Sequence, residues 1–136
     1  MKSISSKKLK GNILIPGDKS ISHRLVILSS IAIGISKIKG LLKSDDVMRT
    51  VEAMQSFGAS INLSNSSNCF INGVGLGGLA EPKTALDFGN SGTSARLIMG
   101  LSSSHPITTL FVGDSSLSLR PMQRVLSPLI NFGSSF

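Results

Sequence analysis

Residues 16–25 read PGDKSISHRL, placing a lysine, two serines, a histidine and an arginine between a proline-glycine turn and an apolar run. Glycine, lysine and serine ahead of a helix are the ingredients of a nucleotide P-loop, whose backbone N–H groups and ammonium cradle phosphates. The spacing excludes that motif. Five residues separate Gly11 from Gly17 where the motif needs four, and Asp18 stands between Gly17 and Lys19. What remains is a helix N-terminus, with its unpaired N–H donors and positive dipole end, beside charged and hydroxyl donors one turn in. In composition that is an oxyanion site, although the same residues also read as a serine N-cap followed by two solvated cations. His23 tempts as an acid or base because imidazole titrates near neutrality. It lies between Ser22 and Arg24 in a stretch whose second copy has Ala95, so packing or orientation is the expected role.

Such a cluster needs elements to hold it, and the chain shows them by repeating itself. SISHRL at 20–25 returns as GTSARL at 92–97, and each copy is followed by a helix-like apolar run, a strand ending in glycine (KIKG, LFVG), a polar turn and a helix closing in Phe-Gly (MQSFGASI, LINFGSSF). Arg24 pairs with Arg96, Gly40 with Gly113 and Phe57 with Phe132 at nearly constant offset. Helical spacing links Ile21, Leu25, Leu28 and Ala32, then Val47, Val51 and Met54, then Met122, Val125 or Leu126, and Leu129. Strand candidates are NILI at 12–15, KIKG at 37–40, SINL at 60–63, CFIN at 69–72 and TTLFV at 108–112. The expected class is α/β (α+β), with a leading segment and strand over 1–15, one unit over 16–80 and a second over 81–136. The first unit runs past Phe-Gly into an expected hairpin over 59–72, whereas the second stops at Phe136 where the matching strand should begin. The reading is therefore of one and a half to two units from a longer protein.

Composition narrows the partners. Fourteen Lys and Arg against seven Asp and Glu give a net charge of +7, which suits nucleic acid, an acidic membrane surface or phosphorylated and carboxylated small molecules. A nucleic-acid module interleaves aromatics for base stacking, and this chain has neither Trp nor Tyr. No run approaches the roughly 20 apolar residues of a membrane span, and the lysine-rich start lacks the apolar core of a signal peptide. The single cysteine, Cys69, has no intramolecular partner and is read as core packing in a reducing, cytoplasmic setting. Asp45 and Asp46 could be an acid and base pair, yet after Ser44 they read better as a helix cap meeting the dipole. His105, in the turn SSSHP, is expected to be solvated.

Together PGDKSISHR, SDDV, DFGNSGTSARL and LRPM resemble the enolpyruvylshikimate-phosphate synthases, the 3-phosphoshikimate 1-carboxyvinyltransferases. The likeness runs nearly end to end, and GLLKSDDV and SLRPMQRVLSPL are similar to the bacterial branch that includes glyphosate-tolerant enzymes. It implies two domains, each of three βαβαββ units with the active site in the cleft between them, and a monomeric full-length enzyme. It also implies transfer of the enolpyruvyl group of phosphoenolpyruvate to the 5-hydroxyl of shikimate 3-phosphate, releasing phosphate, without cofactor or metal.

Carried over by position, Lys19 touches both substrates, and Ser20, Arg24 and Thr93 hold shikimate 3-phosphate. Asn90, Gly92 and Arg120 serve phosphoenolpyruvate, and Arg96 is a possible support. No catalytic acid or base is assigned within the chain, so the chain alone is expected to be inactive. Glyphosate-tolerant relatives carry alanine where this chain has Gly92. The enzyme rival is a UDP-N-acetylglucosamine 1-carboxyvinyltransferase, against which GDKSISHR and the placement of Cys69 argue. The rival from another class is the basic nucleic-acid-binding repeat.

Overall fold

Asp18 opens the first helix, α1 (Lys19–Ser30), by accepting the Ile21 N–H at 2.7 Å. The N-cap is thus the aspartate, not a serine, and Lys19 and Ser20 already belong to the first turn. These positions come from a computed structural model that describes residues 4–5, 8, 10–64 and 68–136. Part of the leading segment 1–15 therefore lies outside the described residues. The strand expected at 12–15 does not form, and Ile13, Leu14 and Ile15 are exposed. A strand needs a ladder partner, and among the described residues none pairs with this stretch.

The α1 stripe expected from spacing faces the wrong way. Ile21, Leu25 and Leu28 are exposed, and the helix ends before Ala32. Its buried face is Ser22, His23, Val26, Ile27, Ser29 and Ser30. The small polar groups there are satisfied locally, since the Ser22 and Ser30 hydroxyls donate to the carbonyls of Asp18 and Val26, both at 2.7 Å.

After α1 come β1 (Ile33–Lys39), α2 (Asp45–Ser56), β2 (Ser60–Leu63) and β3 (Asn68–Val74). The three strands form one sheet in the order β1-β3-β2, with β3 antiparallel to both neighbours. The register puts Ile38 opposite Cys69 and Ile61 opposite Ile71, so the inward residues of neighbouring strands meet on one face. Val47, Val51 and Met54 of α2 are buried against that face, as their spacing predicts. Cys69 is fully buried in the same core, and burial pushes its thiol pKa up, so it packs rather than reacts.

The second half begins with β4 (Leu86–Asp87), which pairs in parallel with β5 (Phe111–Val112) across α3 (Gly92–Ser102). Phe88 and Phe111 stack at 5.2 Å between ring centroids, closing this small βαβ turn onto the core. The strand expected over 108–112 thus shrinks to two residues, and β4 carries no periodic signal that sequence could show. A single turn, α4 (Ser115–Ser118), precedes α5 (Gln123–Asn131), whose Val125, Leu126 and Leu129 are half-buried.

The Phe-Gly repeats are helix stops of one kind. At the end of α2 the Gly58 N–H donates to the Gln55 carbonyl and the Ala59 N–H to the Met54 carbonyl. At the end of α5 the Gly133 N–H donates to Ile130 and the Ser134 N–H to Leu129. Both are Schellman motifs, and both glycines are left-handed, at φ +103° and +95°. Replacing Gly58 or Gly133 by alanine is expected to cost about 1–2 kcal/mol by urea denaturation, the penalty of a Cβ in that region. Gly100→Ala, in an open helical position of α3, is expected to stabilise by roughly 0.5–1 kcal/mol in the same assay.

Candidate functional site

α1 and α2 lie side by side in parallel register. Lys19 meets Asp46 and, one turn further on, His23 meets Thr50. Their N-termini therefore sit at the same end, and α3 joins them there, because the Ser94 hydroxyl donates to the Asp46 backbone carbonyl at 2.8 Å. Three positive helix ends converge on Asp46. Its carboxylate takes the Lys19 ammonium at 2.6 Å, while its carbonyl holds the start of α3. Asp45 and Asp46 do lie in the first turn of α2, but the N-cap position is Ser44 and Asp46 has this second, bridging role.

Around this junction the expected site residues fall into two groups. On the α1 side, Lys19 is half-exposed, and Ser20 and Arg24 are exposed, with the Arg24 guanidinium turned back onto the Ser20 carbonyl at 3.0 Å. On the α3 side, Gly92 is buried at the first helical position and Thr93 is half-buried beside it. A Cβ on Gly92 would stand 2.9 Å from Arg120 Nη1 and 3.2 Å from Arg96 Nη1, so two guanidiniums close over the glycine. Arg120 also donates to the Asn90 amide oxygen, and Asn90 in turn donates to Asp114 at 2.8 Å. That bond, with the Leu117 backbone N–H, holds the Asp114 carboxyl below the usual carboxylate range.

Arg96 is the strained member. Its Nε is buried without a hydrogen-bond partner, and burial, then the like charges of Arg124 and Arg120, weaken its hold on its proton. Lys19 and Arg49 are ion-paired, whereas Arg24, Arg96 and Arg120 have no ion pair among the described residues. Positive charge in excess of its carboxylates is what an anion site requires. The cavity of about 320 Å³ nearby, lined by Phe88, Met99, Phe111, Leu117 and Ser118 among others, is mixed in polarity but carries no charged side chain.

Sequence reasoning missed the link between the groups. His23 is fully buried and its Nδ1 lies 2.7 Å from Thr50 Oγ1, which lies 2.8 Å from Ser94 Oγ. The visible signal was the serine that recurs in both copies of the repeat, at Ser22 and Ser94, each buried on its helix. His23 is thus buried in the packing between α1 and α2 rather than exposed as an acid or base. His105 is half-buried rather than solvated, with Nδ1 3.2 Å from the Leu101 carbonyl. No cluster of His, Cys, Asp and Glu able to hold a metal occurs among the described residues, and no helix there is long and apolar enough to cross a membrane.

Burial lowers the His23 pKa, opposed by Asp46 and reinforced by Lys19 and Arg24. Below the ordinary imidazole value of about 6.5 the unfolded chain binds the proton more readily than the folded one. The His23 contribution to stability is therefore complete above about pH 6.5 and is lost as pH falls through the lower folded value. Urea midpoints from about pH 8 to 5 should fall for the native chain and stay flatter for His23→Gln over that window. A second outcome concerns Gly92. The atoms a Cβ would meet are ends of flexible side chains, so Gly92→Ala should keep stability within about 0.5 kcal/mol. It should displace the Arg120 head from Asn90, read from the Asn90 side-chain amide resonances.

The sequence model of the family described as EPSP synthase (3-phosphoshikimate 1-carboxyvinyltransferase) matches residues 4–135. A 3-phosphoshikimate 1-carboxyvinyltransferase from Sphingopyxis alaskensis is 56% identical over 130 residues, which is 96% of this chain and 29% of that protein. One from Novosphingobium aromaticivorans is 53% identical over 128 residues, 94% of this chain and 29% of that protein. Among solved structures, an EPSP synthase from Acinetobacter baumannii superimposes with a TM-score of 0.87 at 41% identity, covering 92% of this chain and 28% of that one. The chain spans about 29% of the length of the curated relatives it matches.

Proposed function

From the premise that the chain belongs to the EPSP synthase family, we propose that it forms the anion-binding part of a 3-phosphoshikimate 1-carboxyvinyltransferase. The reaction transfers the enolpyruvyl group of phosphoenolpyruvate to the 5-hydroxyl of shikimate 3-phosphate and releases phosphate, a step in aromatic biosynthesis. The observation that carries the reading is the convergence of the α1 and α3 N-termini on Asp46, with Lys19, Arg24, Arg96 and Arg120 gathered there. Both substrates present phosphate and carboxylate, and this end of the fold presents their complement.

Lys19, Ser20, Arg24 and Thr93 take shikimate 3-phosphate in this assignment. Lys19, Asn90, Gly92 and Arg120 take phosphoenolpyruvate, and Arg96 supports them. Each ligand must displace an internal contact, the anion replacing Asp46 at Lys19 or Asn90 at Arg120. These residues bind and orient. Proton delivery to the methylene carbon and removal from the attacking hydroxyl are not assigned to any of them. Residues 16–80 and 81–136 are taken as two units of the βαβαββ plan, the second without its final hairpin, working in the cytoplasm as part of a monomer.

Titration of isotope-labelled chain with shikimate 3-phosphate, read by amide shifts, tests the assignment. Movement centred on Lys19, Ser20, Arg24 and Thr93 is expected, with weak affinity because the α1 side is open to solvent. If saturating ligand leaves those amides in place, the reading is wrong. With phosphoenolpyruvate, Arg120→Lys should weaken binding about tenfold or more, since a charge-assisted bidentate fork is lost while the charge is kept.

A further inference from the structure

We propose that His23, Thr50 and Ser94 form a one-way hydrogen-bond bridge that sets the spacing of the α1 and α3 N-termini, with His23 a positioning residue in its Nδ1–H tautomer. The functional weight of that spacing rests on the preceding assignment, because shikimate 3-phosphate is there read from both helices at once.

Proton counting gives the direction. The Asp46 carbonyl can only accept, and of the two hydroxyls that reach it Ser94 is the nearer, at 2.8 Å against 3.5 Å for Ser91, so the Ser94 hydroxyl donates its one proton there. The Ser94 oxygen then accepts from Thr50 at 2.8 Å and from Ser91 at 2.6 Å, which fills both lone pairs. Thr50 has thereby used its proton. Its oxygen, 2.7 Å from His23 Nδ1, must accept, so Nδ1 carries hydrogen. The other ring nitrogen points to the same tautomer. Nε2 is buried with no partner. With the proton on Nδ1 it is a bare lone pair, whereas with the proton on Nε2 it becomes an orphaned N–H, the rarer and costlier defect.

The bridge joins positions that matter. His23 lies one turn inside Lys19 and Ser20, Thr50 one turn inside Asp46, and Ser94 two residues inside Gly92. His23, Thr50 and Ser94 are each 0% exposed, so water does not compete for the bonds. Short donors locked in series define a separation that apolar packing alone leaves to slide.

Three measurements on the 136-residue chain decide the matter. Long-range proton–nitrogen correlation of the imidazole should show Nδ1 protonated and Nε2 bare; an Nε2–H tautomer overturns the bridge. Residual dipolar couplings of the ligand-free chain should report a changed angle between α1 and α3 in Thr50→Val and the native angle in Thr50→Ser, and an unchanged angle in the valine variant overturns it. Titration with shikimate 3-phosphate, followed at the Ser20 and Thr93 amides, should weaken roughly fivefold or more in Thr50→Val and stay within about twofold in Thr50→Ser. Equal affinity in all three chains overturns the positioning role. If the native chain binds no shikimate 3-phosphate, the functional assignment fails, and the tautomer and the helix angle still decide the bridge.

Discussion

Three helices begin at one end of this molecule, and each N-terminus carries the equivalent of about half a positive charge. Bringing them together is unfavourable unless something negative lies between. Asp46 occupies that place, with its carboxylate on Lys19 and its carbonyl on Ser94. The rest of the arrangement follows from this junction. α1 and α2 must run parallel to share it, so the strand between them returns across the sheet, and β3 lies between β1 and β2. α3 must start beside it, so the β4 to α3 turn is pinned against α2 by Arg49, which donates to Asp87 at 3.0 Å.

The same junction explains why the surface is primed for anions. Asp46 neutralises one of the nearby cations, and Asp114 is committed to Asn90 and the start of α4. Arg96 and Arg120 remain over Gly92 with amide, hydroxyl or no partners. Guanidiniums so placed repel each other, and the repulsion is relieved by an incoming anion. An exposed lysine-aspartate pair contributes only about 0–1 kcal/mol, so Lys19 can exchange Asp46 for another oxyanion at little cost.

Sequence alone showed the parts whose signal is local. The α2 stripe, the strands at 60–63 and 69–72, and the Phe-Gly stops are set by neighbours a few residues away. The donor cluster at 19–24 was legible for the same reason. What failed depended on distant partners. α1 is apolar on both faces, and the face that is buried carries Ser22, His23 and Ser30, which helical spacing of hydrophobic residues passes over. NILI has a strand composition without a ladder, and β4 has a ladder without a strand composition. Asp46 read as a cap because its second contact is made by a backbone carbonyl, an atom every residue has.

The two sides of the site differ in burial, and that difference assigns their work. On the α3 side Ser91, Gly92 and Ser94 are buried and the guanidinium of Arg96 is partly so, hence donors there hold their directions before a ligand arrives. On the α1 side Ser20 and Arg24 stand in solvent, where charges are screened within roughly 10 Å at ordinary salt. The first side can discriminate shape and the second mainly attracts. The surface contacts do not fix the separation between the two sides, since Arg24–Ser20 lies within α1 and the exposed Lys19–Asp46 pair joins α1 only to α2. The buried hydroxyls of Thr50 and Ser94 are the polar groups under the junction that span the helices at bonding distance.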